Sequence, residues 1–219
     1  MLTLYRWGAA DKARHLVMIC HGYSSSDAEM ALFGDAWARQ LPATAFVAPD
    51  GPEPFEQFPL GFQWFSLRDR TPSVLEAGAR AAAPLLNAVI DGECARLGVA
   101  PNQVALAGFS QGAMMVLHAG LRRRPAPACI LAYSGALLDT PALEGELAPR
   151  GERPPVLLVH GMEDQVVPFA RGRDSEAVLR RLGVPVQSEW RPGLEHSVDE
   201  AGLAAGLDWL RRSFGMPVA

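Results

Sequence analysis

Residues 103–113 read Gln-Val-Ala-Leu-Ala-Gly-Phe-Ser-Gln-Gly-Ala, a strand, a sharp turn and the start of a helix in one short stretch. The apolar run 103–107 predicts a buried strand, and 111–123 predicts a helix. The intervening Gly-Phe-Ser-Gln-Gly has the Gly-x-Ser-x-Gly pattern of a turn that raises a serine, here Ser110, above a strand end. Glycine is needed at 108 and 112, because side chains there would collide with the neighbouring chain. The stretch therefore predicts an α/β fold with a nucleophilic serine, the alternative being a glycine-rich turn with an incidental serine.

Strand-like and helix-like segments alternate along the rest of the chain. Their apolar runs are continuous, as in 15–20, which suits strands covered by helices on both faces. We therefore predict one α/β domain over residues 1–219, with a mainly parallel central sheet of about seven strands. Pro84 is expected to kink or divide the second helix. The predicted strands are 2–7, 15–20, 44–48, 103–107, 128–133, 155–160 and 186–191, and the predicted helices are 27–40, 73–97, 111–123, 171–182 and 199–213.

Two irregular segments, 50–72 and 134–155, are rich in Pro and Gly and follow strand ends. Ligand sites in open α/β sheets lie outside the carboxyl ends of the strands, so both segments are expected to border the site. The second is too short and too interrupted to fold as a large cap domain. The first carries apolar residues that either line an acyl groove or anchor the loop to the core: Leu60, Phe62, Trp64 and Phe65.

Composition excludes several classes of function. Hydrophobic residues make up 49% of the chain and charged residues 20%, as in a soluble globular protein. The net charge of −4 argues against a nucleic-acid partner. With neither a signal sequence nor a membrane-spanning apolar run, we expect a cytoplasmic protein without stable membrane insertion. Cys20, Cys94 and Cys129 are expected to be reduced thiols. The oligomeric state stays open, with a homodimer as one alternative.

A serine nucleophile needs an adjacent base, and the base needs a carboxylate that holds its tautomer. Among the five histidines, His196 is the best base, because it follows the last strand and immediately precedes a helix. Asp164 is the best acid, because it lies just beyond a buried strand. Glu163 is expected to point the other way, while Glu195 and Asp199 lie too close to His196 in sequence.

An ester-cleaving site also needs two backbone amides aimed at the negative charge that develops on the substrate oxygen. The amide of Gln111, directly after Ser110, is the first. The second is expected from the loop after strand 15–20, where His21-Gly22 delivers the amide of Tyr23. The alternative is an ordinary strand-to-helix loop with Asp27 as helix N-cap, and both can be true at once.

These motifs together resemble the phospholipase/carboxylesterase family of α/β-hydrolases, which includes the acyl-protein thioesterases. The resemblance covers nearly the whole chain and implies a Ser110/Asp164/His196 triad, an oxyanion hole of the Tyr23 and Gln111 amides, and hydrolysis of esters or thioesters without a metal. It rests on His21-Gly22, Trp64-Phe65, residues 108–112, Tyr133-Ser134-Gly135, His160-Gly161 with Asp164, Val167-Pro168, and Gly193 with His196.

Two departures from the family leave the substrate preference open. The family commonly has a Gly-rich stretch after His-Gly and an Asp after Trp-Phe, whereas this chain has Tyr23-Ser24-Ser25-Ser26 and Ser66. The predicted substrate contacts are Leu60, Phe62, Trp64, Phe65 and Val167.

The leading hypothesis is a serine carboxylesterase that acts on small-molecule acyl esters of short to medium chain length, with no cofactor and no metal. An acyl thioesterase or lysophospholipase would use the same triad. A non-catalytic ligand-binding homologue is the alternative from another class. A metal hydrolase using His21, His160 and Asp164 is disfavoured, because neither histidine lies in a short ligand-spacing motif.

Overall fold

The computed structural model describes residues 2–25, 27–58, 60–138 and 141–217. A seven-stranded sheet in the order β1-β3-β2-β6-β7-β8-β9 forms its centre. Strand β1 is antiparallel to β3, and every other neighbouring pair in this sheet is parallel. The sheet strands are β1 Leu4–Gly8, β2 His15–Cys20, β3 Thr44–Pro49, β6 Val104–Phe109, β7 Cys129–Tyr133, β8 Val156–Gly161 and β9 Val186–Arg191.

Helices connect the parallel strands and cover both faces of the sheet. They are α1 Asp27–Ala38, α2 Pro72–Leu97, α3 Gln111–Arg122, α4 Leu143–Glu146, α5 Phe169–Arg181 and α6 Glu200–Ser213. A second, two-stranded sheet pairs β4 Glu53–Pro54 with β5 Phe62–Gln63. The predicted fold is confirmed. The sequence did not predict this small sheet or the single-turn helix α4.

The core consists of two layers, one on each face of the sheet. Alternate side chains of β2 enter different layers: Leu16 and Met18 pack with α2, α3 and α5, whereas Val17 and Ile19 pack with α1 and α6. Such two-sided burial explains the continuous apolar runs in the sequence. Among the described residues, no helix has the length and apolar character needed to cross a membrane.

Pro84 does not divide the second helix, because α2 continues from Pro72 to Leu97. Proline removes one backbone donor, which is costly in a helix interior. Here Pro84 faces solvent, while Ala83 and Leu86 turn towards the core. The packing of this buried face holds the helix together across the missing hydrogen bond.

His118 is a buried group that makes the fold sensitive to acid. It lies on α3 with 2% exposure, and its Nδ1 is without a hydrogen-bond partner among the described residues. Burial, and secondarily the nearby Arg122 cation, lowers the pKa of His118 to about 4. The unfolded chain binds a proton at this residue below about 6.5, so folding stability is lost as the pH falls from about 6.5 towards 4.

We expect His118→Leu to remove part of the acid destabilisation of the fold. The pKa difference corresponds to about 3 kcal/mol between pH 7 and pH 4. The check is urea unfolding at pH 7 and at pH 4.5. For each variant, the free energy of unfolding at pH 4.5 is subtracted from that at pH 7, and these differences are compared between variants. His15→Gln is the control and should keep the His118 contribution. An unchanged difference in His118→Leu would assign the acid sensitivity to other groups.

Candidate active site

Ser110 lies in the turn between β6 and α3, at the carboxyl edge of the sheet. Its φ of 54° is in a region that residues other than glycine rarely adopt. The turn is as tight as the sequence motif predicts. A Cβ on residue 108 would lie 2.4 Å from the backbone of Gly112, and a Cβ on residue 112 would lie 2.1 Å from the Cys20 carbonyl. The Ser110 amide donates to the Tyr133 carbonyl at 2.9 Å, which anchors the turn to β7.

The structure brings Ser110, Asp164 and His196 together from the ends of three strands. His196 Nε2 lies 3.0 Å from Ser110 Oγ, and His196 Nδ1 lies 2.7 Å from Asp164 Oδ2. The other oxygen, Asp164 Oδ1, accepts the amides of Val166 and Val167 at 2.9 Å each. Since an ionised carboxylate only accepts, Nδ1 carries the proton and Nε2 is free to receive one from Ser110.

His160 supports the loop that carries the acid. Its Nε2 lies 2.8 Å from the Val167 carbonyl, to which it donates, and 3.4 Å from Asp164 Oδ2. Burial lowers the pKa of His160, although the Val167 carbonyl and the Asp164 charge oppose this shift. Gly172 gives the ring its space, because a Cβ there would lie 2.8 Å from Nδ1. These contacts tie the His160 ring to the loop that carries Asp164.

The other carboxylates near His196 have different partners. Glu163 accepts the Gly193 amide at 2.8 Å, on an exposed turn. Asp199 caps α6 by accepting the Gly202 amide at 2.8 Å and pairs with Arg191 at 2.9 Å. Of the neighbouring acids, therefore, Asp164 is the one in contact with the imidazole.

The amides of Tyr23 and Gln111 are both available for a ligand. Neither has an acceptor within the part of the chain that the structure describes. The side chain of Gln111 is fixed: its Oε1 accepts the Trp64 amide at 2.9 Å, and its Nε2 donates to the Phe65 carbonyl at 2.6 Å. The loop before α2 therefore fixes the position of Gln111, the residue that follows Ser110.

His21 joins the loop after β2 to the loop after β3. Its Nε2 accepts the Gly51 amide at 2.7 Å, and its Nδ1 donates to the Gly22 carbonyl at 2.6 Å. The Trp64 indole donates to the His21 carbonyl at 3.1 Å. Both ring nitrogens therefore serve structural bonds, and within the described ranges no three His, Cys, Asp or Glu side chains are grouped to hold a metal ion.

Glu56 links the two positions at which the chain departs from its family. Its carboxylate accepts the Tyr23 hydroxyl, the Ser66 hydroxyl at 2.7 Å and the Leu67 amide at 3.2 Å, and it pairs with Arg68 at 3.1 Å. Burial raises the pKa of Glu56, but the bonds from Tyr23, Ser66 and Leu67 outweigh it and hold the pKa below its ordinary value. The sequence carried no signal for this cluster, because Tyr23 is far from the other members along the chain and Glu56, Ser66 and Arg68 form no recognisable motif.

A cavity of about 790 Å³ opens beside Ser110 and His196. Both predicted bordering loops contribute to it, the first through Leu67 and the second through Leu138. Its apolar lining also includes helix residues that the sequence did not predict, because they lie on separate elements: Met30, Leu75 and Met114.

The five predicted substrate contacts lie in different surroundings, and only one of them is on the wall of this cavity among the described residues. Val167 does line the cavity, but Trp64 and Phe65 are only 1% and 3% exposed and belong to the core. Leu60 is 70% exposed and, like the half-buried Phe62, is not on the cavity wall among the described residues. The aromatic cluster anchors the loop, because the Trp64 indole and backbone are bonded to the loop after β2 and to α3.

Trp64→Ala is expected to lower activity evenly for esters of all chain lengths and to destabilise the fold. Loss of a fully buried Trp typically costs about 3–5 kcal/mol. The check is the melting temperature together with kcat/KM across a chain-length series. Phe58→Ala, 60% exposed in the same loop, is the control and should change little. A loss of kcat/KM that grew with the chain length of the ester, at an unchanged melting temperature, would instead indicate that Trp64 contacts the acyl chain.

The parallel sheet, with a serine on the turn after β6, an acid after β8 and a histidine after β9, defines an α/β-hydrolase. The chain belongs to the phospholipase/carboxylesterase family, whose family model matches residues 8–213. The family that the sequence resembles is therefore confirmed as the family of this chain.

Individual relatives are similar over most of the chain. Esterase YpfH of Escherichia coli (strain K12) is 29% identical over 91% of this chain and 83% of its own length. Acyl-protein thioesterase 1 of Gibberella zeae is 28% identical over 86% of each. The crystal structure of esterase PE8 gives a TM-score of 0.90 at 34% identity, covering 96% of this chain and 98% of that one. The protein is accordingly a carboxylic ester hydrolase.

Proposed function

We propose that this protein is a serine carboxylesterase that hydrolyses short- to medium-chain acyl esters through an acyl-enzyme on Ser110. The observation that carries the proposal is the chain of contacts from Ser110 Oγ to His196 Nε2 at 3.0 Å and from Nδ1 to Asp164 at 2.7 Å. Ser110 and His196 lie in the wall of an apolar cavity, where an acyl group can be bound next to the nucleophile.

In the proposed acylation step, Ser110 Oγ attacks the ester carbonyl while His196 Nε2 takes its proton. Asp164 stabilises the imidazolium that forms. The amides of Tyr23 and Gln111 donate to the negatively charged carbonyl oxygen. His196 then passes the proton to the leaving alcohol, and the acyl group stays on Ser110.

In the proposed deacylation step, water enters in place of the alcohol. His196 removes a proton from the water as it attacks the acyl carbonyl, and then returns a proton to Ser110 Oγ as the carboxylic acid leaves. Apolar walls around the site strengthen these electrostatic contacts, because they keep the local dielectric low.

The cavity supports the proposed chain length. About 790 Å³ is within the range of roughly 300–1,000 Å³ that small-molecule sites occupy. The connection after β7 contains a single-turn helix, α4, whose Leu143 is buried in the core. The described residues of this connection, 134–138 and 141–155, form no large cap, so short and medium esters are expected to react from solution without activation at an interface.

A thioesterase is the second candidate, favoured by the similarity to an acyl-protein thioesterase from Gibberella zeae. The same serine, base and amides would cleave a thioester. A panel of p-nitrophenyl esters and acyl thioesters of graded chain length separates the two functions by their kcat/KM values.

A fluorophosphonate probe tests the proposed nucleophile directly. We expect it to label Ser110 alone, as shown by peptide mapping, because phosphonylation needs an activated serine. His196→Gln should slow this labelling strongly, since the base that activates Ser110 is gone. Labelling at another serine, or equal labelling rates in His196→Gln, would contradict the proposal.

A further inference from the structure

The charged side chains on the cavity wall are all basic. Apart from His196, they are Arg70 and Arg171, and the described part of the chain contributes no Asp or Glu to this wall. The chain as a whole has 24 acidic and 20 basic residues. The charge of the cavity is therefore opposite in sign to the net charge of the protein.

Within the described ranges, neither arginine has a carboxylate partner. No acidic side chain of a described residue lies within 4.0 Å of the guanidinium of Arg70 or of Arg171. Arg70 has one weak contact, from Nε to the Leu67 carbonyl at 3.4 Å. Two other arginines of the same segments do have such partners: Arg68 pairs with Glu56 at 3.1 Å and Arg180 pairs with Glu176 at 2.7 Å.

Arg171 lies where the cavity adjoins a second, smaller one. Arg171 and Pro72 also line a smaller adjoining cavity of about 190 Å³, which Ser110 and His196 do not line. Arg70 precedes Pro72 by two residues. Asp174 is on the wall of the smaller cavity and makes no ion pair with Arg171.

Two helix N-termini add to the positive potential in this region. Helix α2 begins at Pro72 and α5 begins directly after Pro168, and both prolines line the cavity. Neither helix has an acidic residue in its first turn or a side-chain cap. At α2 the Asp69 carboxylate accepts the amide of the N-cap residue Thr71 at 2.9 Å, whereas the partial positive charge at the start of α5 has no acidic residue in its first turn.

We propose that the preferred substrates are anionic esters, in which a carboxylate or phosphate group remote from the scissile bond binds to Arg70 and Arg171. This inference rests on the proposed hydrolysis at Ser110. The substrate chain would lie along the apolar wall, and its anionic group would meet the two guanidinium groups. Arginine suits such an anion because its planar donors form charge-assisted, bidentate hydrogen bonds.

The test compares esters that differ in one charge. For the acyl side, p-nitrophenyl monoesters of adipic, suberic and sebacic acid are compared with the hexanoate, octanoate and decanoate esters. For the alcohol side, the hexanoate ester of 4-hydroxy-3-nitrobenzoic acid is compared with o-nitrophenyl hexanoate, which lacks only the carboxylate. In at least one arm, we expect kcat/KM for the anionic ester to exceed that for the neutral ester by about tenfold or more. The difference should arise mainly from a lower KM and should become smaller as salt is added.

The variants assign this preference to the two arginines. Arg70→Gln and Arg171→Gln together should abolish the preference while leaving kcat/KM for neutral hexanoate within about twofold. Arg171→Lys should keep part of it. Arg173→Gln is the matched control, because it removes an exposed charge from the same helix outside the cavity wall.

Two results would overturn the proposal: equal kcat/KM for charged and neutral esters in both arms, or a preference that survives in the double variant. Failure of the proposed function would look different, because neutral esters would then be hydrolysed equally well with and without the Ser110 hydroxyl.

Discussion

Ser110→Ala is expected to reduce kcat for p-nitrophenyl esters by about 10⁶-fold, as loss of a triad nucleophile does in other serine hydrolases. The substitution removes only Oγ, whose contact is with His196 Nε2. The turn itself should persist, because its shape depends on Gly108, Gly112 and the bond from the Ser110 amide to the Tyr133 carbonyl. The measurement is steady-state turnover at pH 8, with circular dichroism and the melting temperature as evidence of folding.

Ser134→Ala is the matched control for this experiment. Ser134 follows the neighbouring strand β7, is 1% exposed and also has a positive φ, of 47°. Its hydroxyl makes a long bond of 3.4 Å to the Ser197 carbonyl and has no contact with His196 among the described residues. We expect it to retain most activity. Turnover by Ser110→Ala at the rate of Ser134→Ala would show that the nucleophile lies elsewhere.

The sheet can be predicted from the sequence because its strands carry a strong local signal. The segments 15–20 and 156–161 are buried along their whole length, so nearly every residue in them is apolar. The strands β4 and β5 are two residues each, and neither periodicity nor propensity can indicate so short an element. Pro84 shows the limit of a local rule, since tertiary packing of α2 offsets the lost hydrogen bond.

The positions of the three proposed catalytic residues are also predictable, because each follows the end of a recognisable strand. Ser110, Asp164 and His196 come after β6, β8 and β9, and parallel strands place their carboxyl ends at one edge. Their spatial contact follows from topology, without knowledge of side-chain packing. Their catalytic roles, like the cytoplasmic location and the homodimer, remain predictions to be tested.

The cavity wall could not be predicted in the same way. An aromatic loop residue such as Trp64 has the same appearance in sequence whether it faces a ligand or the core, and here it is buried. The residues that do form the wall, such as Leu75 on α2 and Met114 on α3, are each ordinary apolar helix residues. Only the three-dimensional packing decides which of them borders empty space.

A second large loss of activity is expected for Asp164→Asn, because the groups around Asp164 fix which atom of the new side chain faces His196. Asp164→Asn keeps the size of the side chain. Its carbonyl oxygen must stay with the amides of Val166 and Val167, since both of these are donors. The amide nitrogen then faces His196 Nδ1 and donates to it. In that tautomer Nε2 carries the proton, and it can no longer accept one from Ser110.

We therefore expect Asp164→Asn to lower kcat by about 10⁴-fold, as the corresponding change does in a well-studied triad. Glu163→Gln is the matched control, being the same chemical change one residue earlier. Glu163 contacts the Gly193 amide and not the imidazole, so its substitution should leave kcat within a few-fold. Both variants are assayed on a neutral ester, because the arginines of the cavity would otherwise add a charge effect of their own. Equal losses in the two variants would move the acid away from Asp164, since Asp164 contacts His196 Nδ1 and Glu163 does not.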